Sequence, residues 1–263
     1  MIFRALIIKL GVVLSLLAVG WGSAVAQDNL IGVIKERGEI LVCHAEALPW
    51  GAKDPKTGNW VGTDIEAAKH LAGIMGVDYK PVDSQWGTLI PSLETGKCDI
   101  VMSPMFRTAE RAMRVLFSNP SGYETQGTAV HMDSDAQSHS DLDKEGMIIA
   151  VGSGTADEAF ANRFFKMAQV KPLVSDKLST YFLEVASKRA DAVLTDSSSL
   201  RNFIKQNPGM NLRIIDDAPL NPQGYAYAVQ PGEYHFVNFI NVWLETIEQQ
   251  GLKDQWYEMV TAE

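Results

Sequence analysis

Arg111 is the side chain in this sequence best placed to bind an anion. The apolar run at residues 100–102 predicts a buried strand, followed by a turn at Pro104 and a helix with Thr108 as its N-cap. A cation in the first turn of that helix opposes the helix macrodipole by ~0.3–1 kcal/mol. We therefore expect Arg111 to bind a carboxylate, whose geometry matches the guanidinium fork. The alternative is a surface ion pair with a nearby acid such as Glu110 and no ligand.

Other polar side chains follow the predicted strands at the points where the strands end. Ligands of parallel α/β sheets bind beyond the carboxyl ends of the strands, so we expect these side chains to share one cleft. The candidates are His44 and Glu46 after the first strand, Ser103 after the third, Thr155 after the first strand of a second unit, and Asp196 after its third.

Two of these positions have both a binding and a structural interpretation. Residues 152–155 (Gly-Ser-Gly-Thr) join a strand to a helix, so their N–H groups and the Thr155 hydroxyl are able to bind an anion. The alternative is an ordinary capped helix, with Asp157 and Glu158 favoured by its dipole. Asp196 is suited to a ligand ammonium or to capping the next helix, and the two roles are compatible.

Two tryptophans lie near the predicted cleft. Trp86 precedes a predicted helix, and Trp50 lies in the polar loop after the first strand. Aromatic faces suit a ligand side chain or a cation. A core or rim position is the alternative, and location favours Trp86 over Trp50.

The sequence has few catalytic or metal-binding signatures. His-Glu-x-x-His, Cys-x-x-Cys and phosphate-loop motifs are absent, and Gly-x-Ser-x-Gly is absent after residue 26. A polar stretch carries Asp133, Asp135, His139, Asp141 and Asp143 but lacks the spacing of a calcium loop, so we interpret it as a solvated loop. No metal or cofactor is predicted.

Residues 1–26 have the layout of a secretory signal peptide. Arg4 and Lys9 precede an apolar stretch at 11–20, and Ala24-Val25-Ala26 forms a small-x-small cleavage site. The apolar stretch is shorter than the ~20 residues of a membrane span, which disfavours an uncleaved anchor. We expect a mature periplasmic chain that begins near Gln27.

The mature chain is predicted to be acidic. Loss of Arg4 and Lys9 from 23 basic residues leaves 21 against 32 acidic ones, so the formal net charge changes from −9 to −11. This balance disfavours nucleic acid and anionic membranes as partners.

The two cysteines, Cys43 and Cys98, are expected to be buried free thiols. Residues 40–43 and 99–102 are predicted to be neighbouring parallel strands, which places Cys43 near the end of one and Cys98 at the start of the other. At ~3.3 Å per residue, this offset exceeds the ~7 Å between Cα atoms that a disulfide tolerates.

Strands and helices alternate in two successive units, which is typical of parallel α/β sheets. The segments of the first unit are 39–43, 64–75, 77–81, 89–93, 100–102 and 108–115, and those of the second are 147–151, 155–167, 170–174, 178–187, 190–195 and 197–206. We predict a connection near 123–129. A strand at 225–229 and helices at 233–249 and 252–260 follow, and periodicity does not assign them to either unit.

Together these features resemble the periplasmic solute-binding proteins of ABC importers, of the polar amino acid type. The matching segments are 49–50 (Pro-Trp), 53–55 (Lys-Asp-Pro), 62–65 (Gly-Thr-Asp-Ile), 89–93 (Leu-Ile-Pro-Ser-Leu), 96–99 (Gly-Lys-Cys-Asp), 108–111 (Thr-Ala-Glu-Arg), 117–118 (Phe-Ser), 153–155 (Ser-Gly-Thr), 189–194 (Arg-Ala-Asp-Ala-Val-Leu), Asp196 and 224–229 (Gly-Tyr-Ala-Tyr-Ala-Val). Each segment is weak alone, but the ordered set is specific and spans nearly all of the mature chain.

The resemblance implies a two-lobed α/β fold with the ligand cleft between lobes. Lobe 1 would comprise 27–124 and 224–263, and lobe 2 would comprise 125–223. The resemblance also implies that Arg111 and Thr155 hold an α-carboxylate, Asp196 receives the α-ammonium and Trp86 packs on the ligand. The implied protein is a monomer that passes an amino acid or organic acid to an ABC permease.

Three positions depart from the family pattern. His44 replaces an acid that helps to bind the ammonium, Ala47 replaces an aromatic residue, and Phe106 replaces a small hydroxyl residue near the carboxylate. These changes make the ligand class less certain than the fold, and a neutral or organic-acid ligand stays open.

Two alternatives to transport remain. The periplasmic cyclohexadienyl dehydratases look similar but carry a glutamate as general acid where this chain has Ser199, which leaves Glu46 as the only obvious substitute. The second alternative is a ligand-sensing module.

Overall fold

The computed structural model describes residues 29–175, 177–215 and 217–261. The predicted signal peptide lies outside these residues. In the ranges described, no helix is both long and apolar enough to cross a membrane.

The predicted alternation of strands and helices is confirmed in both units. The first unit contains α1 (Leu30–Arg37), β1 (Glu39–His44), β2 (Ala52–Lys53), β3 (Trp60–Val61), α2 (Thr63–Met75), β4 (Asp78–Asp83), α3 (Leu89–Glu94), β5 (Ile100–Phe106), α4 (Ala109–Ala112) and β6 (Leu116–Phe117). The chain continues through β7 (Gly122–His131), α5 (His139–Leu142), β8 (Ile148–Gly152), α6 (Ala156–Phe164), β9 (Gln169–Leu173), α7 (Ser179–Ala186), β10 (Ala192–Asp196), α8 (Ser197–Gln206) and β11 (Leu212–Ile214). It ends with β12 (Leu220–Val229), α9 (Tyr234–Gln249) and α10 (Leu252–Thr261).

Two long antiparallel strands join two parallel units into one sheet. The strand order is β4-β1-β5-β12-β7-β10-β8-β9, with β6 added to β12 and β11 added to β7. β1 is parallel to β4 and β5, and β8 is parallel to β9 and β10. β12 pairs with both β5 and β7, and β7 pairs with β10, so β7 and β12 connect the two units.

The C-terminal helices pack on the first unit, which sequence periodicity did not decide. Trp243 and Ile247 of α9 are buried in one cluster with Leu71 of α2 and Ile40 of β1. Separate clusters fill the second unit, where Ile149 and Leu194 are among the core residues. The apolar cores therefore fall into two groups, one for each parallel unit.

The predicted turn at Pro104 is wrong, because β5 continues through it to Phe106. β1 pairs with β5 only at Ile100 and Val101, whereas β12 pairs with Met105 and Phe106 on the other side. Beyond Val101, one edge of β5 has no neighbouring strand that needs a backbone N–H donor. Proline, which lacks this N–H, is therefore tolerated at position 104.

The predicted free thiols are also wrong, because Cys43 and Cys98 form a disulfide with Cα atoms 5.6 Å apart. The rise per residue used for the prediction holds only inside a strand. Cys98 lies before β5, where the chain arrives from α3, and both cysteines are buried beside Leu89 and Leu93 on that face of the sheet. Cys98 is therefore placed over the sheet face instead of being displaced along the strand.

We expect reduction of this disulfide to destabilise the chain. The bond closes a loop with a sequence separation of 55 residues. The chain-entropy relation gives about 4 kcal/mol for a loop of that size, as an upper value. Urea unfolding with and without a phosphine reductant should show a lower midpoint in the reduced protein, and a Cys43→Ala/Cys98→Ala variant should be insensitive to the reductant. Two titratable thiols in unreduced, unfolded protein would contradict the pairing.

Candidate ligand cleft

A cavity lies between the two units. The first unit contributes Ala47, Trp50, Trp86, Pro104, Phe106 and Arg111, and the second contributes Thr155, Ala156, Asp157, Leu178, Tyr181, Thr195 and Asp196. Glu124 of β7 and Tyr225 of β12 complete the wall. The strands that connect the units thus also line the cavity.

Arg111 lines this cavity and bridges the two units. The Thr108 hydroxyl accepts a hydrogen bond from the Arg111 N–H at 3.2 Å, which confirms Thr108 as N-cap of α4. The guanidinium donates to the carbonyl oxygens of Phe106 at 3.1 Å and Gly154 at 3.5 Å. Burial lowers the pKa of Arg111, and the nearby Asp157 opposes that shift. Among the described residues, no carboxylate, Glu110 included, forms an ion pair with Arg111.

The loop before α6 satisfies most of its own donors. The Thr155 hydroxyl donates to the Gly152 carbonyl at 2.7 Å and accepts from the Glu158 N–H at 3.2 Å. The Gly154 N–H donates to the Glu158 carboxylate at 2.6 Å, and the Ser153 N–H donates to a carbonyl of β9. Thr155 lines the cavity, but its one hydroxyl proton is already used, which agrees with the capped-helix alternative.

Asp196 has both of the roles that its position suggested. It ends β10 and caps α8, where its carboxylate accepts from the Ser199 N–H at 2.7 Å. It also lines the same cavity as Arg111, from the other unit. Burial, reinforced by the charges of Asp157 and Glu124, raises the pKa of Asp196 to about 7.

Trp86 and Phe106 line the same cavity, whereas Glu46 lies outside it. The indole N–H of Trp86 donates to the Glu46 carbonyl at 3.1 Å, which fixes the ring orientation. Glu46 lines a neighbouring cavity together with Lys53 and Ser179.

His44 and Ser103 do not line the cavity. His44 is fully buried, with its Nδ1 2.7 Å from the Met102 carbonyl and its Nε2 2.8 Å from the Tyr79 hydroxyl. Burial lowers the pKa of His44 to about 4, so the ring is neutral near pH 7. The Ser103 hydroxyl accepts from the Ala45 N–H at 3.0 Å and holds the backbone after β1.

Sequence reasoning missed two carboxylates of the cavity, Glu124 and Asp157. Asp157 accepts hydrogen bonds from the Gln126 amide and the Thr195 hydroxyl, and burial raises its pKa to about 6. The only signal for Glu124 was its place in the predicted connection at 123–129, which must pass the cleft in any two-unit topology.

The two units touch around the cavity. A Cβ atom on Gly154, whose φ is +74°, would lie 2.8 Å from the Gly87 Cα, so the backbones meet at this pair of glycines. On another side, the Ser199 hydroxyl of α8 donates to the Leu48 carbonyl at 3.2 Å. The cleft is therefore closed.

The acidic stretch at 133–143 is used locally. Asp133 pairs with Lys188, Asp141 caps α5 together with Ser138, and Asp143 accepts three backbone N–H groups at 166–168. Within the part of the chain that the structure describes, no group of three or more His, Cys, Asp or Glu side chains is arranged to hold a metal ion.

The family profile of bacterial extracellular solute-binding proteins, family 3, matches residues 40–260. The chain belongs to this family. The resemblance drawn from the sequence motifs is thereby confirmed.

Named relatives in the family include binding proteins and an enzyme. The glutamine-binding protein of Geobacillus stearothermophilus is 32% identical over 217 residues, which is 80% of each chain. Cyclohexadienyl dehydratase of Pseudomonas aeruginosa is 27% identical over 232 residues, covering 88% of this chain and 85% of the enzyme.

A solved structure of the family confirms the predicted two-lobed fold. A mutant of ArgBP from T. maritima superposes with a TM-score of 0.80 at 35% identity, covering 89% of this chain and all of that one. ArgBP has also been solved in an arginine-bound form.

We expect Asp196→Asn to stabilise the unliganded protein at high pH. Asparagine keeps the capping acceptor, but it removes a carboxylate whose pKa is about 7 in the fold and about 3.8 when unfolded. Between these values the folded state binds more protons than the unfolded state, so the free energy of unfolding falls as pH rises. The variant should match the wild type near pH 3, below both pKa values, and exceed it by up to about 4 kcal/mol near pH 8.

Urea unfolding of dialysed protein at the two pH values measures this difference. Asp157 and Asp64, which also have raised pKa values, are retained in both proteins. Equal pH dependence in wild type and variant would show that the charge of Asp196 does not destabilise the closed cleft.

Proposed function

We propose that this chain is an extracytoplasmic binding protein that captures a small amino acid, or a related carboxylate, between its lobes and delivers it to an ABC importer. The observation that carries the proposal is that Arg111 and Asp196, from opposite units, line the same closed cavity. A guanidinium and a carboxylate are complementary to the two charges of an α-amino acid.

The ligand carboxylate is assigned to Arg111. Among the described residues, two of the five guanidinium N–H groups donate to carbonyl oxygens, which leaves the others for a bidentate contact. The first-turn N–H groups of α6, at Ala156 and Asp157, lack intrahelical partners and add donors at the positive end of the helix dipole.

The ligand ammonium is assigned to Asp196, and Trp86 packs against the ligand. Burial, together with repulsion from Asp157 and Glu124, raises the pKa of Asp196, and an ammonium beside it would offset that repulsion. Both charge pairs are formed in a closed cleft, where interactions are screened less than on the surface.

Capture and release require the units to move apart. The two crossing strands, β7 and β12, are the connections about which lobe 1 (27–124 and 224–263) and lobe 2 (125–223) would rotate. In this proposal the closed form signals occupancy to the permease. The protein acts as a periplasmic monomer after cleavage of residues 1–26.

We expect amino acids to raise the melting temperature of the mature protein and Arg111→Ala to abolish the increase. A ligand at a hundred times its Kd adds about 2.7 kcal/mol, or roughly 5–10 °C for a chain of this size. Differential scanning fluorimetry with an amino acid panel measures the shift. Arg201→Ala, which removes an exposed arginine outside the cavity, is the matched control and should keep the shift. An unchanged shift in Arg111→Ala would refute the carboxylate contact.

One relative favours an enzyme as second candidate, because cyclohexadienyl dehydratase aligns over most of this chain. Elimination of a hydroxyl group needs a positioned proton donor. By the family resemblance, the dehydratases carry their catalytic glutamate at the position of Ser199. Ser199 is fully buried, and its hydroxyl donates a hydrogen bond to the Leu48 carbonyl. We therefore expect no aromatic product when the protein is incubated with prephenate or arogenate, monitored by absorbance and chromatography. Product formation that Glu46→Gln abolishes would favour the enzyme.

A further inference from the structure

The closed cavity carries an excess of negative charge. Its described lining includes three carboxylates, on Glu124, Asp157 and Asp196, and one guanidinium, on Arg111. In the described ranges, none of the three carboxylates has an ion-pair partner within 4.0 Å. A zwitterionic amino acid has no net charge and would leave this excess unchanged.

The contacts of each carboxylate distinguish their roles. Asp196 is the partner proposed for the ligand ammonium. Asp157 is held on one oxygen by Gln126 and on the other by Thr195, and its charge acts on Arg111. It balances the guanidinium from within the protein.

Glu124 is the carboxylate left for a further cation. One oxygen accepts from the Thr125 N–H at 2.8 Å and the other accepts from the Ser198 hydroxyl. A carboxylate offers about four acceptor sites, so both oxygens keep capacity for another donor. These two contacts also fix the orientation of the side chain.

The surroundings of Glu124 suit a cationic group. Trp50 and Tyr225 line the cavity with Glu124, and their rings meet edge to face at 5.7 Å. Aromatic faces attract cations within about 6 Å. Lys253 lines the adjoining cavity, but its ammonium pairs with Glu248 at 2.5 Å.

We infer that the ligand is an amino acid with a cationic side chain, and that Glu124 is the specificity-determining residue that receives this cation. The inference rests on the proposed function, since it assumes that Arg111 and Asp196 hold the α-carboxylate and α-ammonium. The aromatic pair would cover the alkyl part of the side chain.

Isothermal titration calorimetry with arginine and citrulline tests the inference, because these amino acids share a shape and differ in side-chain charge. The wild type should bind arginine about tenfold or more tightly than citrulline, as charge-assisted hydrogen bonds are about twice as strong as neutral ones. Glu124→Gln should weaken arginine binding by about the same factor and leave citrulline binding within about threefold.

Glu145→Gln is the matched control. It makes the same change of charge on an exposed residue outside the cavity and should retain the preference of the wild type. The arginine-to-citrulline ratio of the wild type requires no variant, so it tests ligand charge even where Glu124→Gln fails to fold.

Two results would overturn the inference while leaving the proposed function standing. They are equal or tighter binding of citrulline by the wild type, and an unchanged preference for arginine in folded Glu124→Gln. Failure of arginine, citrulline and a panel of neutral and acidic amino acids to bind would overturn the proposed function as well.

Discussion

The cleft between the two units holds acidic side chains close together and away from water. Asp157 and Asp196 are buried near each other, and their pKa values rise to about 6 and about 7. Buried charges are unfavourable unless they are paired. The closed cleft without a ligand is therefore electrostatically incomplete, and the proposed cationic ligand would supply the missing positive charge. On this view the energy that closes the lobes comes from the ligand rather than from the protein alone.

The topology places two residues of the cavity wall on the strands about which the proposed lobe rotation would occur. Glu124 and Tyr225 belong to the two strands that connect the units, and the strands pair there, with Gln223 opposite Glu124 and Tyr225 opposite Gly122. The backbone of Glu124 and Tyr225 forms part of the connection between the units, and their side chains line the cavity. Rotation of one unit against the other thus changes the surroundings of the residues proposed to contact the ligand side chain.

Much of the fold was predictable because apolar periodicity reports the elements directly. The helix predicted at 197–206 is reproduced as Ser197–Gln206, and Arg111 lies one turn after the Thr108 cap as expected. The strand-end rule identifies the correct edge of the sheet but not the direction of each side chain. His44 illustrates this limit, since it ends β1 yet contacts Tyr79 and Met102 in the interior.

The remaining errors arise where the chain leaves regular structure. The disulfide depends on the path of the chain between α3 and β5, which places Cys98 over one face of the sheet. The spacing of residues within a strand does not predict this path. Glu124 lies in a segment predicted only as a connection. The sequence does not show which residue of β7 lies at the level of the cavity. Tertiary pairing with β12 and β10, which is non-local, decides which of its side chains reach the cavity.

Ser199 lies at the position that distinguishes the binding proteins from the dehydratases in the family resemblance. By the family resemblance, the dehydratases place a proton donor at this position, which requires a side chain aimed at the substrate. Here the hydroxyl donates across the cleft to the Leu48 carbonyl, so the position joins the first turn of α8 to the loop after β1. A contact of this kind forms only when the units are closed and is broken when they part. The serine hydroxyl at this position thus stabilises the closed arrangement of the two units.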